Sequence, residues 1–340
     1  MSYGASLDSK ALQADTRLMR GEDSQAGSRL GRTTNVSHHP IAGRILLLPF
    51  ILVVIVSCAS PPSEQEKKAY LQQTIEKTSR AIETNPKNAK AYAARGYAKG
   101  ELGDYQGEIA DLTQAITLYP SDPSLYATRS WAKGQLGDFQ GEQDDLTRAI
   151  KLNPLDPEAY YSRGTAQIRR GKYPEGIRDF NQVIRLNSRH RPAYLSRGVA
   201  KSDMGDYTGG IQDLTRAIEL NPNDAIAFMS RGWAKGLSGD YKGEIEDNTR
   251  AIQLNPKYAE AYGNRGVAKY LSSDLTGAIE DLTVAVSLDQ QMGVGYYYRG
   301  QAYLALKRPA EGRKDLKRAQ ELLPQAADDI GKLLQEEHLE

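Results

Sequence analysis

The sequence predicts an all-α chain, a solenoid of stacked helix-turn-helix units, on three observations. Proline recurs on a grid: Pro86, Pro120, Pro154, Pro222, Pro256 and Pro324 lie 34 residues or a multiple of 34 apart, and the two gaps, Ser188 and Gln290, keep the register. Seven 34-residue units follow, covering 89–326 and beginning at Ala89, Pro123, Pro157, Arg191, Ala225, Ala259 and Gly293. Apolar residues recur within each unit at helical spacing, and no stretch alternates as a strand does. Such a period marks an architecture in which each unit leaves a face for its neighbour to bury.

The elements can be justified in chain order. Residues 1–44 are polar, and from Ile45 to Val56 the chain reads ILLLPFILVVIV, twelve uncharged apolar residues after Arg44. As a helix this run is about 18 Å long, short of the roughly 30 Å of a hydrocarbon core. A basic residue, a short apolar run and then small residues is the pattern of a secretory signal peptide. Cys58, the only cysteine, follows at once, and Ala59-Ser60-Pro61-Pro62-Ser63 continues as a tether (58–63) that cannot pack a core. Residues 64–88 hold only the second helix of a unit, with Ile75, Ala81 and Ile82 inward.

In each full unit, position 4 is aromatic (Tyr92, Tyr126, Tyr160, Tyr194, Phe228, Tyr262, Tyr296) and position 8 is small (Gly96, Ser130, Gly164, Gly198, Gly232, Gly266, Gly300). Position 10 is Ala and position 30 is Leu in all seven units. Asp122, Asp156 and Asp224 stand where a first helix needs an N-cap, with Pro123 and Pro157 tolerated in its first turn. The turn Leu102 to Tyr105 (LGDY) ends helix A with Gly and restarts helix B after Asp. Helix B carries an apolar stripe, Ile109, Leu112, Ala115 and Ile116, and Asn-Pro stops it. Residues 327–340 read as a terminal helix with Ile330, Leu333 and Leu334 inward and acids outward, the polar cap a repeat array needs.

These positions resemble the tetratricopeptide repeat from about Glu64 to Glu340. The resemblance implies a right-handed α-solenoid, a helix A of about 13 residues with positions 4, 8 and 10 facing inward, and a concave surface lined by helix A. Read at positions 5, 9 and 12, the concave candidates are Tyr97, Trp131, Tyr161, Leu195, Val199, Met229, Trp233, Val267, Tyr270 and Tyr297. An apolar stripe there is expected to take an extended or helical protein segment; the alternative is packing between neighbouring helices. The Lys/Asn set with which chaperone-binding relatives clamp a C-terminal carboxylate is missing.

Two charge ladders run along the units. Position 7 is Arg (Arg95, Arg129, Arg163, Arg197, Arg231, Arg265, Arg299) and position 23 is Asp (Asp111, Asp145, Asp179, Asp213, Asp247, Asp281, Asp315). One Arg–Asp pair per repeat is expected, within a unit or between neighbours; an arginine ladder for an anionic ligand is the alternative. Glu108, Glu142 and Glu244 occur in units whose position 11 is Lys99, Lys133 and Lys235, which suggests a Lys–Glu contact.

Residues Ile55-Val56-Ser57-Cys58 resemble the lipobox of bacterial lipoproteins. The resemblance implies cleavage after Ser57, a lipid (palmitate) on Cys58 and a repeat domain on the non-cytoplasmic side of a cell-envelope membrane. A chance cysteine beside an apolar run is the other explanation. Lipoprotein signals begin a few residues before the apolar run, so residues 1–57 point to a start further along, near Val36 or at Met19.

A lone cysteine excludes a disulfide framework and a thiolate metal site. Net charge +1, with 38 Lys/Arg against 39 Asp/Glu over 58–340, argues against nucleic acid as partner. His38, His39, His190 and His338 have no partner set for catalysis, and no glycine-rich phosphate loop follows a strand. No enzyme activity, metal, small-molecule substrate or cofactor beyond the covalent lipid is expected. The expected function is a membrane-anchored protein-interaction scaffold. The alternatives are a lipoprotein pilot or assembly factor for a secretion or pilus machine, and an intracellular adaptor if the signal is spurious.

Overall fold

The computed structural model describes residues 63–336. Cys58, the apolar run 45–56, the signal region 1–57 and the tether up to Pro62 lie outside the described residues. Every regular element among the described residues is helical. The helices are α1 (Glu64–Thr84), α2 (Ala89–Glu101), α3 (Tyr105–Leu118), α4 (Pro123–Gln135), α5 (Phe139–Leu152), α6 (Pro157–Arg169), α7 (Tyr173–Leu186) and α8 (Arg191–Asp203). They continue as α9 (Tyr207–Leu220), α10 (Ala225–Leu237), α11 (Tyr241–Leu254), α12 (Ala259–Leu271), α13 (Leu275–Leu288), α14 (Gly293–Ala305), α15 (Pro309–Leu322) and α16 (Ala327–Glu336). Two compact units are present, residues 63–193 and residues 194–336. Each is a stack of helical hairpins in which consecutive helices pack on one another.

The hairpins form where the chain supplies the chemistry. Ser63 and Glu66 make a reciprocal capping box that starts α1. Asp104, Asp138, Asp206, Asp240 and Asp274 each accept the N–H of the glycine three residues on, capping helix B. The turn before them needs a left-handed residue: Gly103, Gly137, Gly171, Gly205 and Gly239 supply it, and Ser273 and Lys307 take the same conformation in the last two repeats. Inside, Ala98, Ala115, Ala132, Ala200 and Ala217 are buried to 1% or less, and small residues at position 8 let the two helices close. A Cβ at Gly266 would stand 2.7 Å from Leu282 Cγ.

The Arg–Asp pairs lie within each repeat. Arg95 donates from Nε and Nη2 to both oxygens of Asp111 at 2.8 and 2.7 Å, and the other six repeats repeat this fork. Nη1 of Arg95, Arg129, Arg163, Arg231, Arg265 and Arg299 reaches a Ser or Thr hydroxyl of the preceding repeat's helix B, as from Arg129 to Thr113 at 3.0 Å. Each guanidinium also lies 5.5–5.8 Å from the centroid of its own repeat's position-4 ring. One planar cation therefore ties helix A to helix B and to the repeat before.

The lysines of position 11 pair with the same aspartates as the arginines. Lys99, Lys133 and Lys235 place Nζ on the position-23 aspartates Asp111, Asp145 and Asp247 at 2.8–2.9 Å, and Lys201 and Lys269 do the same. The glutamate side chain occupies the space beside the residue at position 12. Where position 20 is Glu108, Glu142 or Glu244, position 12 is Gly100, Gly134 or Gly236; where position 20 is Gly176, Gly210 or Gly312, position 12 is Ile168, Ser202 or Leu304. A Cβ on Gly134 would meet the Glu142 carboxylate at 2.8–3.1 Å, and one on Gly176 would meet Ile168 Cδ1 at 2.6 Å. One side chain fills each junction, from one helix or the other. Gly100→Leu alone is expected to destabilise the protein by about 2 kcal/mol or more through overpacking. Adding Glu108→Gly, which recreates the seventh repeat's pair, should recover most of that loss in urea unfolding; equal damage in single and double variants would contradict the exchange.

Candidate protein-binding face

The ten concave candidates divide by burial. Val199, Met229, Trp233, Val267 and Tyr297 are 4–9% exposed, which corrects their assignment to an open groove. Val267 and Tyr297 belong to the core of the 194–336 unit with Tyr298, Leu316 and Ile330, and Met229 packs with Ala251 and Ala261. Tyr97, Trp131, Tyr161, Leu195 and Tyr270 are half-buried. The Tyr270 hydroxyl donates to Gln301 Oε1 at 2.6 Å, and its ring stands edge-on to Tyr298 at 5.4 Å.

In the 63–193 unit the partly open aromatics have company that sequence reading missed. Trp131 meets the Tyr105 ring edge-on, centroids 5.3 Å apart at 76°. Tyr105 is the first residue of helix B, so the indole is held by the preceding repeat and keeps its outer surface accessible. Tyr161 sits between Phe180 at 5.7 Å and His190 at 5.2 Å. Arg169 lies over the Phe139 ring at 5.4 Å and donates to both oxygens of Glu142 at 2.7 and 2.5 Å. Tyr105, Trp131 and Tyr161 are thus pinned rings left partly exposed, and Tyr97 is half-buried beside them in sequence register.

His190 stands where other repeats put an Asp or Asn cap. Its Nδ1 accepts the Ala193 N–H at 3.1 Å, and its Nε2 lies 3.1 Å from Glu158 Oε1. The ring is 7% exposed and serves as a cap. No group of three or more metal-ligating side chains occurs among the described residues, and no described helix is long and apolar enough to cross a membrane.

Burial and charge oppose each other at the carboxylates. Burial pushes Asp111 up, yet hydrogen bonds from Arg95 and Lys99 outweigh it and hold the group below the usual range. At Glu142 burial wins over Arg169, and its pKa is raised. A raised folded pKa means that Glu142's contribution to stability is fully present below the unfolded value, near 4.3, and is lost as pH rises through the folded one. The stability advantage of Glu142→Gln over the parent should therefore grow as urea midpoints are followed from about pH 4 to 7. A difference that is flat or shrinks with pH would refute this ordering.

Comparison with known proteins places this geometry. Family models described as tetratricopeptide repeat match residues 89–122, 146–178 and 195–259. The chain carries tetratricopeptide repeats, a fold that is in general a non-catalytic protein-binding scaffold. None of the curated proteins compared with it matches the sequence. Among solved structures, a tetratricopeptide repeat protein from Parabacteroides merdae is similar at TM-score 0.58 and 18% identity, covering 77% of this chain and 98% of that one. The Cut9–Hcn1 hetero-tetramer of APC/C gives TM-score 0.58 at 16% identity, covering 78% of this chain and 52% of that one. The pilF structure from Pseudomonas aeruginosa gives 0.53 at 13% identity, covering 59% and 92%. These likenesses show a shared fold.

Proposed function

We propose that this protein is a non-catalytic scaffold, held to a cell-envelope membrane through lipid on Cys58, that takes a protein segment on the open rings of its first three repeats. The observation that carries the binding half is the set Tyr97, Trp131 and Tyr161: the first two are half-buried while their counterparts Val199, Trp233 and Val267 are covered, and Tyr161 is half-buried while its counterparts Met229 and Tyr297 are covered. Aromatics fixed by neighbours lose little entropy when a partner covers them, and buried Trp and Tyr dominate interface energies. The membrane half is supported by ILLLPFILVVIV, the lone Cys58 and the short polar tether. Both groups of residues lie in the N-terminal part of the sequence, so a tether of about six residues, at most about 21 Å extended, holds the first repeat near the bilayer.

The two halves are separately testable. Metabolic labelling with a palmitate analogue should mark the parent and leave Cys58→Ser unlabelled and released from the membrane fraction; label on the Ser variant would contradict the anchor. Trp131→Ala with Tyr97→Ala should weaken crosslinking to native partners by about thirtyfold or more, since one hot-spot aromatic contributes about 2 kcal/mol. Trp233→Ala serves as the buried control, expected to lower stability without removing a specific crosslink.

A further inference from the structure

The third and seventh repeats are basic, and the third orders its charge unlike the others. Residues 157–190 hold seven Lys/Arg against three Asp/Glu, as residues 293–326 do, whereas residues 58–340 as a whole are near neutral. Two of the three acids are already engaged inside: Asp179 by Arg163, and Glu158 by His190. On α7 the excess is ordered. Arg178, Gln182 and Arg185 follow one another at spacings of four and three, so they share one helical stripe, and Arg189 follows four residues on in the turn after the helix. The same register in the other six repeats sums to between −1 and +1.

The stripe is open. Arg178 is 68% exposed at its side chain and leans on Glu175 at 3.3 Å; Arg185 and Arg189 are exposed. Arg185 donates to Gln182 Oε1 at 2.8 and 2.5 Å, and neither it nor Arg189 has a carboxylate within ion-pair distance among the described residues. One repeat earlier, the last two positions of this register are Lys151 and Leu155, and Leu155 at 75% is the most exposed large apolar side chain described. Asp144 is the one acid of that earlier row, and Gln140 donates to it at 2.9 Å. A row of like charges one and two turns apart opposes helix formation, so it contributes nothing to the fold.

We infer that the outer stripe of α7, with Arg189 in the turn beyond it, docks an acidic helical segment of a partner protein, with carboxylates spaced like Arg178 and Arg185. All three cations are arginines, whose planar forks match carboxylates two bonds at a time. Arg178 and Arg185 are about 10 Å apart along the helix axis, the separation of residues seven apart on a facing helix. A bilayer surface fits less well, because interfacial helices carry a row of apolar side chains for insertion and this stripe has Gln182 between its arginines. The surface is separate from the open rings of the proposed function and stands or falls independently of them.

The test uses the full chain carrying Cys58→Ser, so that lipid plays no part. The probe is a synthetic helical peptide with Glu at i, i+4 and i+7, beside a scrambled isomer of equal charge. Arg178→Ser with Arg185→Ser and Arg189→Ser should weaken binding of the ordered peptide by about tenfold, three exposed ion pairs' worth. Arg250→Ser with Lys257→Ser, the same register in the fifth repeat, should change nothing. Arg185→Glu should prefer a peptide with Lys at i+7, which keeps the test decisive if the triple variant folds poorly. The inference is overturned if the triple variant binds as the parent does, or if the scrambled isomer binds equally. It is also overturned if the three arginines govern binding to phosphatidylglycerol–phosphatidylcholine vesicles and leave peptide binding unchanged.

Discussion

A guanidinium forked onto a carboxylate inside each helical hairpin is the interaction on which the other features of the repeat depend. Position 23 is 4–5% exposed in all seven repeats, so each aspartate is a buried charge that has to be matched. The arginine matches it with two parallel hydrogen bonds, which fix both the distance and the angle between helix A and helix B. Around that fixed crossing, the position-4 ring covers the guanidinium, the preceding repeat offers it a hydroxyl, and position 8 must be small because the helices are already close. The pair specifies geometry more than it adds stability, since a well-packed apolar pair of equal volume often does as well in net free energy.

With the crossing held constant, repeats are free to differ elsewhere. In six of the seven repeats the junction of positions 12 and 20 takes a glutamate from helix B or an aliphatic or serine side chain from helix A, with glycine opposite; the sixth has Tyr270 and Ala278. At the inner face the same freedom separates the two units. Trp131 is braced by Tyr105 and half-open, whereas Trp233, at the identical register, is covered. A binding function on this scaffold is written in such differences of side chain on a repeated backbone.

The fold was readable because its determinants are local and repeated: a proline grid, a fixed aromatic, two small residues and a turn glycine recur at one register. Much of the site was not. Burial at positions 5 and 9 depends on what the next helix places against them, so Tyr97 and Trp233 look alike in the sequence and differ in exposure. The glutamates Glu108, Glu142 and Glu244 track lysine at position 11 and glycine at position 12 together. His190 reads as a loop histidine until the missing Asp or Asn cap at its register is noticed. The arginine stripe of α7 was present in the sequence and emerges only when the outer register of each repeat is summed separately.

The central claim is that the arginine of a repeat is coupled to the aspartate of the same repeat and not to that of its neighbour. A double-mutant cycle on the fifth repeat measures it directly, with Arg231→Met and Asp247→Leu, followed by urea unfolding. The account predicts a coupling of about 2 kcal/mol or more for this pair and a value near zero for Arg231 with Asp213 of the preceding repeat. A coupling as large across repeats as within one, or no coupling in either cycle, would contradict it.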